Sequence, residues 1–136
     1  MIADLPIYRH TEKMGEFYVT FDAPTIEQIV NKFFKQGNTS KVNLMHSEQA
    51  QVQGVYMFES FIVDEQRGIM PPKGFEGATQ GSWFGSYKVE NEDIWQNFIK
   101  TGEFKGFSVE GMFDMELDTN TIEQQILTEI EDILNK

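Results

Sequence analysis

At 136 residues, with 40% apolar content and 12 phenylalanines, the chain can bury a core and reads as one domain over 1–136, not as a disordered segment. A formal net charge of −11 repels phosphate backbones and argues against nucleic acid as a partner. With no cysteine there are no disulfides, thiol nucleophiles or thiolate metal sites, and no apolar run reaches the roughly 18 residues of a membrane span.

Met1 to Pro6 has neither a basic region nor a long apolar one, so no signal peptide is expected. Pro6 to His10 is extended in character, and Glu16 to Asp22 reads as a strand rich in aromatic and β-branched residues. Thr25-Ile-Glu-Gln28 fits a capping box, and Ile26, Ile29, Val30, Phe33 and Phe34 follow at helical spacing. The spacing predicts a helix from about Ile26 to Gln36 ending at Gly37, with its phenylalanine stripe in the core.

Lys41 to His46 alternates as a strand would. Val52 to Asp64 reads as one long strand with a bulge at Gly54. Residues 65–81 are rich in glycine and proline and read as a long, mobile loop. Ser82 to Val89 is a further strand. Asn91 caps a short helix whose buried stripe is Ile94, Trp95, Phe98 and Ile99, and Gly102 ends it. Lys105 to Gly111 (KGFSVEG) and Met112 to Leu117 continue as strand, with Ser108 and Glu110 on the face opposite Phe107 and Val109. A last helix, about 121–135, carries Ile122, Ile126, Ile130 and Ile133 on one side. That side suits either packing on the sheet or a homodimer contact. Five or six strands that do not alternate regularly with three helices make an α+β domain, or a β-barrel with peripheral helices.

Ser108 stands out because glycines on both sides let another backbone or a substrate approach. By residue chemistry alone a strand serine is an ordinary polar position. A serine nucleophile needs a base, and histidine titrates in the right range. His46 at a strand end is the stronger of the two histidines and His10 the weaker. A third group must orient the imidazole, and Glu59, Asp64 and Glu110 are candidates. The hydrolase elbow GxSxG is not met, because position 110 is Glu110, and SxxK is not met at Gly111. Two histidines are too few for a multi-histidine metal site. HExxH, EF-hand, Walker and GxGxxG patterns are all missing, so no metal or cofactor is expected.

Several stretches together resemble a known family. They are His46, the strand ending Glu59-Ser-Phe-Ile-Val-Asp64, the segment Gly81-Ser-Trp-Phe-Gly-Ser-Tyr-Lys-Val89, Ile94-Trp95, and Thr101-Gly-Glu-Phe-Lys-Gly-Phe-Ser-Val-Glu-Gly111. From about Ile7 to Phe113 the chain resembles the phage serine proteases of the XkdF type. That family is similar to tailed-phage prohead proteases and, more distantly, to herpesvirus assemblin. The resemblance implies a mainly antiparallel β-barrel or strongly curved sheet flanked by about three helices. It implies a capsid maturation endopeptidase working in the host cytoplasm, inside the assembling procapsid, on scaffold and major capsid protein. It implies Ser108 as nucleophile and His46 as general base. The third member is not fixed by the match: Asp64 is preferred and Glu59 comes second. Assemblin-like enzymes place theirs after the serine, which brings in Glu116 or Asp118. The rival reading is a non-catalytic virion assembly or scaffold-interaction module.

Overall fold

The computed structural model describes residues 1–44, 49–104, 106, 130, 133 and 134, and the chain divides into two compact units, Met1–Gly106 and Phe107–Lys136. In the second unit Ile130, Ile133 and Leu134 are helical; the rest of the expected C-terminal helix, and Ser108 with the strand expected around it, lie outside the described residues.

The first unit opens with a hairpin of β1 (Ile7–Thr11) and β2 (Gly15–Val19), with Ile7 opposite Val19 and Thr11 opposite Gly15. Thr11 Oγ1 accepts from Met14 N at 3.0 Å, and Gly15, at φ +71°, makes the reversal that a side chain would oppose. Helix α1 (Ala23–Lys35) follows. Its cap is Asp22, not Thr25: Asp22 Oδ1 accepts from Thr25 N at 2.9 Å, and the Asp22 carbonyl accepts from Ile26 N at 3.0 Å. The helix therefore begins three residues before the expected start, since Asp is a strong N-cap and Pro24 in the first turn has no N–H to leave unsatisfied. Gly37 follows the helix in the left-handed region at φ +68°.

The stretch expected as one strand from Val52 to Asp64 is two. β3 (Val42–Asn43) pairs with β4 (Gln51–Val52), and Gly54, at φ +74°, then turns the chain into β5 (Val55–Ile62). The Gly54 carbonyl accepts from Glu90 N at 2.7 Å. β5 pairs antiparallel with β6 (Trp83–Val89), and the bulge falls at Phe58 instead of Gly54: Met57 faces Tyr87 and Glu59 faces Ser86. One extra residue reverses the side-chain alternation. Met57 and Ile62, of opposite parity in sequence, thus both reach the core, while Phe61 stacks on Phe84 at 5.6 Å elsewhere.

Among the described residues the core cluster is Ile26 and Val30 from α1, Trp83 from β6 and Ala3, with Met1, Phe21, Ile29, Phe33, Met57 and Ile62 packed around it; Val52, Val55, Val63 and Ala78 are also buried. Phe33 meets the Trp83 ring edge-on at 5.3 Å. Met1–Ala3 runs beside the start of β6: Trp83 N donates to Met1 O at 2.8 Å, and Ala3 N donates to the buried Ser82 Oγ at 2.9 Å.

After β6, Asn91 Oδ1 accepts from Ile94 N at 3.1 Å and caps α2 (Glu92–Ile94), which runs on as a π-helix, Trp95–Ile99. The expected buried stripe is not formed: Ile94, Phe98 and Ile99 are half-buried and Trp95 is 44% exposed. A π-turn spans one residue more than an α-turn, so a stripe laid out at α-helical spacing drifts off its face.

Among the described residues, three two-stranded antiparallel sheets and two short helices make a small α+β fold. Among the described residues no sheet closes into a barrel. The expectation of a barrel or strongly curved sheet with three flanking helices is corrected accordingly. Closure needs partners on both edges of every strand, whereas each described strand pairs with one other, and Gly54 separates β4 from β5.

Candidate protease site

Ser108 and His46 lie outside the described residues, as do Glu110, Glu116 and Asp118. His10 is exposed on β1, opposite Glu16. Asp64 and Glu59 are both described, and the structure gives them different surroundings.

Asp64 follows β5 and starts a short 3-10 turn, Glu65–Arg67. Its backbone N–H and carbonyl both pair with Ile69, each at 2.9 Å, which closes the turn. Its Oδ1 accepts from Arg67 N and from Gln80 Nε2, both at 3.4 Å, and its Oδ2 lies 4.0 Å from Arg67 Nη1. All three contacts are long, so the carboxylate keeps acceptor capacity. The Asp64 side chain is 27% exposed against 73% for Arg67, so the guanidinium is largely in water and its attraction is screened.

Asp64 and Arg67 line a cleft of ≈ 290 Å³ between the start of α1 and the 65–81 segment. Ala23, Pro24, Ile62, Val63 and Gly81 give it apolar walls, and Glu27 and Gln80 add polar groups. Gly81 is required here: at φ +87° it packs against α1, and a Cβ would sit 2.3 Å from Ala23 Cβ.

Residues 65–81, expected as a mobile loop, form a chain of anchored turns. Phe75 N donates to Pro72 O and Ala78 N to Phe75 O, each at 2.9 Å. Glu65 N donates to Gln80 Oε1 at 3.0 Å, and Thr79 Oγ1 donates to Ala3 O at 3.1 Å. The segment thus carries a set wall of the cleft, with Gln80 tied to both Asp64 and Glu65.

Glu59 stands elsewhere. It is exposed on β5 opposite Ser86, whose Oγ donates to Glu59 Oε1 at 3.0 Å, and it is not among the cleft residues. The two acids are therefore not brought together. Sequence reasoning passed over Arg67, Gln80 and Glu27. The available signal was Asp64-Glu-Gln-Arg67, an acid that can cap a turn and meet a base three residues on. Gln80 and Glu27 come together only through the fold. No group of three His, Cys, Asp or Glu among the described residues is placed to hold a metal ion.

Searches of curated proteins and of solved structures give no match. A family model described as "Putative phage serine protease XkdF" matches residues 10–116, a span that contains His46, Glu59, Asp64 and Ser108. The match covers most of the chain, which belongs to the XkdF family of phage serine proteases.

Proposed function

We propose that the protein is a prohead protease, a serine endopeptidase that trims scaffold and coat-protein extensions inside the assembling procapsid in the host cytoplasm. The observation that carries this reading is the family match over residues 10–116, which spans the serine, the histidine and both candidate acids.

Ser108 Oγ attacks the scissile carbonyl while His46 takes its proton. His46 then returns the proton to the leaving amine, and water, activated by the same imidazole, releases the acyl group. Asp64 orients His46. Its support is local: a partly buried carboxylate at a cleft, with an oxygen that meets only a distant guanidinium among the described residues. Glu59 is the second choice, being exposed and bonded to Ser86. A carboxylate removed from water stabilises an imidazolium more strongly than one on an open sheet face.

The test is co-expression with the cognate scaffold and coat protein. Wild type cleaves them, and Ser108→Ala and His46→Ala do not. Cleavage that survives Ser108→Ala removes the proposed nucleophile. A wild type that binds the scaffold without cutting it is an assembly module instead.

A further inference from the structure

Ala3 is tied to both ends of a short piece of the cleft wall. Its carbonyl accepts from Thr79 Oγ1 at 3.1 Å, and its N–H donates to Ser82 Oγ at 2.9 Å. Gln80 and Gly81, between those two partners, line the cleft. Ala3 and Ser82 are both buried, so the bond between them is shielded from competing water. On either side of Ala3 the strap is pinned again: Met1 O accepts from Trp83 N, and Asp4 N donates to Phe21 O, each at 2.8 Å. Asp4, where the strap leaves the wall, is the one non-glycine among the described residues in the left-handed region, at φ +60°. Such a conformation persists where the bonds around it over-determine it.

We propose that Met1–Ala3 is a latch for the cleft: it sets the side chain of Gln80 and, through Gln80, the carboxylate of Asp64. Val63 already holds Gly81 and Ser82 by backbone bonds, with Gly81 N on Val63 O and Val63 N on Ser82 O, each at 2.9 Å. The Thr79 end is held by Ala3 and by Ser82 N, which donates to Thr79 O at 3.1 Å. Gln80 then uses both ends of its amide: Oε1 accepts from Glu65 N at 3.0 Å, and Nε2 donates to Asp64 Oδ1 at 3.4 Å. The second bond is near the limit of a hydrogen bond, so a displacement of the wall by about 0.2 Å removes it. Releasing the strap therefore changes the polar lining of the cleft without touching it. Strap, wall and carboxylate all belong to Met1–Gly106, so the coupling holds whether or not the cleft serves proteolysis.

The Glu65 N–H is the reporter, since its bond is to Gln80 and not to the strap. Gln80→Ala removes its acceptor and marks the resonance position and exchange rate of the freed amide. Thr79→Val keeps the side-chain shape and removes the donor to Ala3 O; Thr79 is exposed, so the change leaves the core intact. In proton–nitrogen correlation spectra Thr79→Val moves the Glu65 resonance toward its Gln80→Ala position. It also speeds hydrogen exchange there by about 2- to 10-fold, as the loss of one hydrogen bond predicts. Thr79→Ser, which keeps the hydroxyl, restores both. Ser82→Ala removes the acceptor of the Ala3 N–H and moves Glu65 the same way; if burying an unpaired N–H there unfolds the protein, the Thr79 pair decides alone. A strap that contributes stability only would lower the urea midpoint of Thr79→Val and leave the Glu65 resonance where it is. A Glu65 resonance that stays in place while that of Ala3 shifts overturns the proposal.

Discussion

Trp83 Nε1 donates a 2.7 Å hydrogen bond to Ser60 Oγ across the β5–β6 pair. The indole is buried in the core, and Ser60 is the polar group that lets it stay there. Ser60→Ala leaves the indole N–H without its partner and lowers stability by about 1–2 kcal/mol. Trp83→Phe gives up the same bond and opens space beside Phe33, so it costs more. In a double-mutant cycle by urea denaturation the two changes couple, because either one removes the same bond. Additive losses would show that the bond contributes nothing.

Gly81 and Gly37 both sit in the left-handed region, yet they answer differently to alanine. At Gly37 the space is open, and only the backbone cost of about 1–2 kcal/mol applies. At Gly81 a Cβ meets Ala23 Cβ at 2.3 Å, so α1 must move away from the cleft as well. Gly81→Ala therefore lowers the denaturation midpoint more than Gly37→Ala, and Ala23→Gly restores part of the loss. Equal losses at the two positions would remove the close approach that shapes this end of the cleft.

The contrast between particular elements shows what could be read from residues alone. Helix α1, its glycine stop and the extended character of β1 and β2 are legible because local patterns determine them, but the pairing of β1 with β2 is not. Asp22 and Thr25 are both good caps by residue type, and only the fold chooses Asp22. The bulge at Phe58 has no local signal: Glu59 and Phe61 share the parity of Met57, and the alternation reverses only when Tyr87 and Ser86 are seen opposite. The stripe at Trp95 failed for a related reason, since a π-turn changes the period that the reading assumes. Asp64 is an acid at a strand end and Arg67 meets it from three residues on, but Gln80 and Glu27 are gathered beside it only by tertiary contacts.

Acid pH should loosen α1 through its cap. Hydrogen bonding by Thr25 holds the Asp22 carboxyl below its ordinary value of 3.8. A carboxyl with a depressed folded-state value contributes stability above the unfolded value, and that contribution is lost as pH falls through the folded one. Asp22→Ala is therefore less stable than wild type at neutral pH, and the gap narrows as pH drops below 3.8. Thermal unfolding of both proteins at neutral and acid pH checks this. A gap that stays constant would mean that the charge of Asp22 does not contribute to the cap.

The sharpest test of the site separates its two candidate acids. If Asp64 orients His46, Asp64→Asn lowers kcat by about 10²- to 10⁴-fold, because a neutral amide neither fixes the tautomer nor stabilises the imidazolium. Glu59→Gln, altering an exposed acid bonded to Ser86, changes kcat by less than about threefold. The pH profile adds a second readout. If His46 is the general base, wild-type kcat/KM rises with pH as its imidazole loses a proton. Removing a nearby negative charge disfavours the imidazolium, so Asp64→Asn moves that rise to lower pH, whereas mere loosening of the Asp64–Ile69 turn does not. If Glu59→Gln carries the loss and the shift, the two acids exchange roles. If neither variant does, the orienting acid comes after the serine, and Glu116→Gln and Asp118→Asn are the next pair to measure.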